Sequence, residues 1–222
     1  QQTGFSRIIV TEDITYAQIQ LGKDFTVALK KDGTLWAWGN NENGMTGTGS
    51  KQSMLTIPVQ IDSYYASVND AAQEIATPME NILSVAVGEN HAIIIGQSGK
   101  VYAWGDNTYG QLGIGLTSDA TPYSTTPTVA INGNVKKVVV GDGFMVAVTI
   151  NGEVYAWGRN ANGQLGNNTI TTNDSIDNAN NYNANSPKRV LISYDGENMQ
   201  NLDGIVNVNA GVNSSMAVGR DG

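Results

Sequence analysis

One histidine, His91, stands in the whole 222-residue chain, and there is no cysteine. A nucleophilic triad needs an imidazole base beside its Ser or Cys, and zinc sites draw on several His or Cys ligands. Neither can be assembled here, so His91 is expected as a hydrogen-bonded structural residue beside a strand. The glycine strings Gly44-x-x-Gly47-x-Gly49 and Gly110-x-x-Gly113-x-Gly115 have the density of phosphate loops. No Lys-Ser or Lys-Thr follows them and no helix opens after them, so they are expected as turn glycines. Asp106-Asn107-x-x-Gly110 begins like a calcium loop but lacks the alternating oxygen ligands and the closing Glu. The Asn/Asp-rich stretch 173–185 is left as the one place where calcium could bind. The reading is therefore a chain with no catalytic residues, no cofactor and no committed metal site, and not an enzyme.

Two kinds of aromatic residue remain to be placed. Tyr64, Tyr65, Tyr109, Tyr123 and Tyr182, with Tyr194, fall in turn-like or polar stretches. Tyrosine on a loop offers contact area at low entropy cost, so these mark candidate binding loops, although a partly exposed Tyr is equally an ordinary surface residue. The tryptophans recur instead within a repeated phrase. Residues 34–49 read TLWAWGNNENGMTGTG, residues 100–115 read KVYAWGDNTYGQLGIG, and residues 153–166 read EVYAWGRNANGQLG. Three copies of one phrase make this a repeat protein first of all.

The elements that must carry these residues can be laid out from one copy. A β-rich run ends in Gly at 22, 88, 141 and 211, a second apolar run follows, and Asp32-Gly33, Ser98-Gly99 and Asn151-Gly152 then signal a tight turn. Asx-Gly pairs tolerate positive φ at both central positions, so a hairpin is expected there. The third strand is the WAWG or YAWG run. Alternation puts Trp36 with Trp38, Tyr102 with Trp104 and Tyr155 with Trp157 on one face, and small or aliphatic residues on the other. Both faces are covered, as in a sheet packed between sheets. Trp38, Trp104 and Trp157 are expected as inter-blade packing. The following Gly39, Gly105 and Gly158 belong with them to the repeat core, at positions where a Cβ would clash or φ is positive. A fourth strand is expected after Pro58, Pro127 and Pro187, because proline suits the start of an edge strand.

Four short strands per unit describe a propeller blade. The expectation is an all-β propeller of about three full blades with partial blades at both ends, repeats falling near 11–66, 82–131, 135–192 and 205–222 of a single 1–222 segment. The interval between the strand-ending glycines is 66, 53 and 70 residues, and insertions near 50–81 and 169–186 account for the excess. Residues 67–76 could form a short capped helix, and 169–186 reads as a polar loop. Residues 6–10 (SRIIV) match 188–192 (KRVLI), a fourth strand. The chain thus opens and closes in mid-repeat, and closure is expected from missing repeats of a longer chain or from a second copy.

Bulk composition narrows the partners. The chain is 40% hydrophobic and 14% charged, a globular balance, with 26 Gly consistent with many turns. Twelve Lys plus Arg against 20 Asp plus Glu give a net charge of −8. Such a surface is repelled by phosphate backbones, so no nucleic-acid partner is expected. No apolar run is long enough for a membrane span.

The composite pattern G-x-x-x-(S/T/A)-x-A-(L/V)-x-x-(D/N)-G-x-(V/L)-(Y/W)-A-W-G-x-N-x-x-G-Q-L-G resembles the repeat of the RCC1 (regulator of chromosome condensation) superfamily. It departs in the first copy, where Met45-Thr46 replaces Gln-Leu. Only the second copy has the His often found ahead of the second strand, His91; Phe25 and Met145 take that place elsewhere. The resemblance implies a propeller of seven blades or thereabouts in the complete protein. Its uses in the family include nucleotide exchange on a small GTPase, ubiquitin-ligase modules, a plant UV-B photoreceptor and a secreted bacterial β-lactamase inhibitor. Light sensing needs several tryptophans beyond one per blade, and here only Trp36 is surplus. The expected function is a non-catalytic protein-interaction propeller, bacterial and extracellular or at the cell surface, in its sharper form a secreted enzyme inhibitor. The alternatives are a guanine-nucleotide exchange factor, with a cytoplasmic setting, and a carbohydrate-binding surface module.

Overall fold

The computed structural model describes residues 16–50, 52–64, 77–116, 119–168, 183–193 and 197–220, and every regular element among them is a strand. The opening segment 6–10, the helix expected at 67–76, Tyr65, Tyr182, Tyr194 and most of the polar stretch 169–186 lie outside the described residues.

Three four-stranded antiparallel sheets follow one another. The first is β1 (Tyr16–Leu21), β2 (Phe25–Lys30), β3 (Leu35–Asn40) and β4 (Met54–Ile61). After a small ribbon of β5 (Ser63–Tyr64) and β6 (Thr77–Pro78) comes the second, β7 (Ile82–Val87), β8 (His91–Gly96), β9 (Lys100–Asp106) and β10 (Tyr123–Asn132). The third is β11 (Val135–Val140), β12 (Phe144–Thr149), β13 (Val154–Gly158) and β14 (Ala184–Arg189). A ribbon of β15 (Leu191–Ile192) and β16 (Gln200–Asn201) leads to a hairpin of β17 (Ile205–Ala210) and β18 (Ser215–Gly219). In each blade strand order equals chain order. The turn after the first strand and the loop after the third therefore share one end of the sheet, and the turn after the second strand lies at the other.

Burial explains the alternation. β8 and β12 are buried at every position, and in β9 all but the terminal Lys100 and Asp106 are buried. Middle strands covered on both faces favour the β-branched and aromatic residues found there. First strands stitch neighbouring blades together. The Val85 amide donates to Gln18 Oε1 (2.9 Å), and at the equivalent register two blades on, Lys137 Nζ donates to Asn207 Oδ1 (2.7 Å) and to the Val208 carbonyl (2.9 Å).

Four expectations change. The turns at Asp32-Gly33, Ser98-Gly99 and Asn151-Gly152 carry positive φ at the glycine alone (Gly33 +85°, Gly99 +76°, Gly152 +84°), so they are not two-residue hairpins with both central residues left-handed. The Lys30 amide donates to the Thr34 carbonyl, which closes a longer turn. Pro58, Pro127 and Pro187 do not start the fourth strands, which begin several residues earlier. They end a bulge in which Trp38, Trp104 or Trp157 alone faces the three residues between Leu55 and Val59, Ser124 and Thr128, or Ala184 and Lys188. A bulge on an edge strand leaves an amide unpaired, which is where proline costs nothing. The inserted segments are also shorter than expected, because β4 lies within 50–81 and β14 begins within 169–186. Finally, the place of His91 is taken in the third blade by Phe144, not Met145: Phe25, His91 and Phe144 pair with Gly39, Gly105 and Gly158. No helix among the described residues is long and apolar enough to cross a membrane.

Candidate functional site

The loop after each third strand is organised from within. Asn41, Asn107 and Asn160, each three residues beyond its Trp, are buried. Asn41 Oδ1 accepts from the Thr46 amide and Asn107 Oδ1 from the Leu112 amide (3.1 Å), while Asn107 Nδ2 donates to the Thr121 carbonyl (2.8 Å). One amide side chain thus ties both limbs of the loop, replacing ladder bonds that an irregular segment cannot make.

The next blade grips that loop. Trp104 and Trp157 are 0% exposed; their indole N–H groups donate to the carbonyls of Met45 (2.9 Å) and Gln111 (3.0 Å), one blade back. Gly47 and Gly113 lie against the same indoles, where an added Cβ would come within 2.6 Å of Nε1, and their φ is +69°. Gly110 meets the bulge of the following blade at Asn185 Cα. Trp38 is half-buried, and no preceding loop among the described residues covers it. Gly39, Gly105 and Gly158 all have positive φ, and a Cβ there would meet the backbone of the turn after the first strand.

On this scaffold the middle junction differs from the others. The turns at its two sides, 88–90 and 141–143, enclose with the loop 106–111 a cleft of about 320 Å³ lined in part by Glu89, Asp106, Tyr109, Asp142 and Arg159, with His91 and Gln111 in its wall. Asp106 accepts from Thr108 Oγ1 (2.7 Å) and from Gln111 Nε2 (2.5 Å). Arg159 pairs with Asp142 (2.5 Å), and its guanidinium lies 5.1 Å from the Tyr109 ring centroid. Gly143, with φ +71°, leaves room for Tyr109, whose Cδ2 would be 2.7 Å from a Cβ. At the flanking junctions the turns are bridged by Lys23 N–H to Glu89 O and Asp142 N–H to Val212 O. No corresponding bond joins Glu89 and Asp142 among the described residues.

His91 is 2% exposed and its Nε2 has no partner among the described residues. Burial lowers its pKa to about 4 against the opposing pull of Asp106 and Asp142, so the imidazole is neutral at pH 7. It is thus not the hydrogen-bonded residue that was expected. Among the described residues no group of three or more His, Cys, Asp or Glu is placed to hold a metal ion, and residues 173–182 of the calcium candidate fall outside them.

The expected tyrosine anchors separate. Tyr109 lines the cleft, and Tyr123 is 42% exposed on β10. Tyr64 is instead buried, its ring edge-on to Tyr102 at 4.7 Å, because β5 folds back onto the second blade. Tyr102 hydroxyl donates to Glu80 Oε1 (2.6 Å), and Ser98 donates twice to the same carboxylate. Burial opposes ionisation of Glu80, but these donors hold its pKa below the ordinary value. Sequence reasoning held Asn41, Asn107 and Asn160 in the repeat pattern but gave them no part in tying the loop. Their constant offset from the Trp was the available signal.

Models of the regulator of chromosome condensation (RCC1) repeat match this chain at residues 32–95, 98–148 and 151–218, and a second model of the same repeat matches 16–44, 82–111 and 135–164. The chain belongs to the RCC1-repeat family, and its fold is the RCC1 β-propeller. It is 37% identical over 150 residues to the ultraviolet-B receptor UVR8 of Arabidopsis thaliana, covering 67% of this chain and 30% of that protein. It is 31% identical over 145 residues to human Protein RCC2, covering 65% and 25%. Yeast RCC1 (Prp20), in a crystal structure bound to Kap60, superimposes with a TM-score of 0.68 at 22% identity, covering 97% of this chain and 44% of that one. The chain thus spans about a third or less of those curated relatives' length.

Proposed function

We propose that this chain is part of a non-catalytic propeller that binds another protein through the blade end carrying the first turns and third loops. One observation carries the reading. The residues that fix the loops, the buried Asn, the Trp and the glycines, are repeated blade by blade, whereas the side chains they hold out differ, and at the middle junction they form an open polar cleft. A rigid frame with variable loops is how recognition surfaces are built. Yeast RCC1, of the same fold, is described bound to Kap60, which fits this use. A bacterial, extracellular setting and an enzyme-inhibitor role belong to the proposal, on the grounds of low charge and Asn/Thr-rich loops. The test is affinity capture with the full-length protein, followed by binding of the purified candidate to wild type and to loop variants. Small-molecule turnover without any macromolecular ligand would sink the reading, and a flat result on a β-lactamase panel would remove the inhibitor form.

A second reading is regulation of a small GTPase, favoured by the relative named X-linked retinitis pigmentosa GTPase regulator of Canis lupus familiaris, 29% identical over 153 residues. Nucleotide-release kinetics with candidate GTPases decide it: acceleration supports exchange, and unchanged release removes it.

A further inference from the structure

We propose that the cleft between the second and third blades receives a basic side chain, Arg or Lys, of the bound partner; this rests on the interaction reading above. The cleft holds the carboxylates of Glu89, Asp106 and Asp142 against the single guanidinium of Arg159. Arg159 is committed to Asp142, and no cation pairs with Glu89 or Asp106 among the described residues. Two negative charges are therefore left facing a concavity, Glu89 exposed at its rim and Asp106 half-buried, and an opposite charge brought beside them is attracted.

The wall carries the second, independent sign of a missing ligand. Phe25 and Phe144 fill the position of His91 in the first and third blades and Ser214 in the last hairpin, while Met45 and Gln164 share the place of Gln111. Phenylalanine fills the His91 place in the first and third blades without an unsatisfied polar atom, whereas the middle junction has an imidazole whose Nε2 is buried and unpartnered. A buried polar atom without a partner is destabilising. With the proton on Nδ1, Nε2 accepts one N–H from the incoming cation and Asp106 accepts another.

The probe is N-acetyl-arginine amide, with N-acetyl-lysine amide and N-acetyl-glutamate amide beside it, titrated into the full-length protein at low salt and followed by saturation-transfer NMR. Saturable binding of either cationic amide, weakened about tenfold by Asp106→Asn or Glu89→Gln and unchanged by Asp119→Asn, supports the proposal. Asp119→Asn removes the same charge outside the cleft and so controls for the chain's net −8. Equal weakening in all three variants, equal binding of the glutamate amide, or binding of calcium with no response to the cationic amides overturns it. Thermal melts of each variant confirm that the fold is retained. Should the cationic amides fail while the protein still binds a macromolecule, the cleft assignment falls and the interaction reading stands. Binding of the amides by a protein that has no macromolecular ligand keeps the cleft chemistry and removes the interaction reading.

Discussion

The indole N–H of Trp157 donates to the carbonyl of Gln111 at 3.0 Å, a bond that crosses from the third blade to the loop of the second. Trp104 makes the same bond to Met45 one blade earlier. Each blade therefore fixes the loop of its predecessor, and loop order depends on the presence of the next sheet. Trp157→Ala is expected to lose about 3–5 kcal/mol through the cavity left. Trp157→Phe keeps most of the packing but orphans the Gln111 carbonyl, for a loss of about 1–3 kcal/mol. Gly113→Ala, a single added methyl, should be nearly as damaging as the first, since the Cβ meets the indole and the residue sits at φ +69°. Denaturant unfolding checks the series, and a neutral Gly113→Ala would refute the clasp.

Acid should weaken the protein through His91. Its pKa is about 4 folded and 6.5 in the unfolded chain. Above pH 6.5 both states are neutral and there is no penalty. As pH falls from 6.5 to 4 the unfolded chain takes up a proton that the folded state refuses, so stability drops, by about 3 kcal/mol when complete. His91→Phe, the residue type already at 25 and 144, should remove this component and leave the two proteins' stability curves diverging only below pH 6.5. Parallel curves across pH 4–7 would show that His91 is not buried neutral.

Asn107 tests the loop's inner tie. Asn107→Ala leaves the Leu112 amide and the Thr121 carbonyl without their side-chain partner and is expected to cost about 2–3 kcal/mol. Asn107→Asp should be worse than its near-identical shape suggests, because it faces a carboxylate to the carbonyl that Nδ2 served. Thermal melting of the pair decides, and an Asp variant as stable as wild type would contradict the assignment.

The frame was legible because it is written in backbone constraints: a Gly where a Cβ cannot fit, a Trp at a fixed offset, an alternation of small and large residues. Those signals are local and repeat, so Trp104 and Gly113 could be read as packing before any partner was known. Turn type was misjudged because Asp32-Gly33 satisfies two geometries, and only the pairing of Lys30 with Thr34 selects the longer one. Proline was misplaced for a related reason: Pro58 is compatible with a strand start and with a bulge, and the bulge is set by the Trp opposite. The cleft was not legible at all. Glu89, Asp106 and Arg159 lie far apart in sequence and look like ordinary surface charges, and the significance of His91 appears only when Phe25 and Phe144 are seen to occupy the same pocket. Tyr64 failed as an anchor because the ribbon β5–β6 turns it inward, which no periodicity in a two-residue strand can announce.

The claim that binding uses the blade end carrying the first turns and third loops is tested most directly by amide hydrogen exchange of the full-length protein with and without its captured partner. The account predicts slowed exchange in 22–25, 88–91, 106–113 and 141–144, with the turns 31–33, 97–99 and 151–152 unchanged. Protection confined to those latter turns would contradict it.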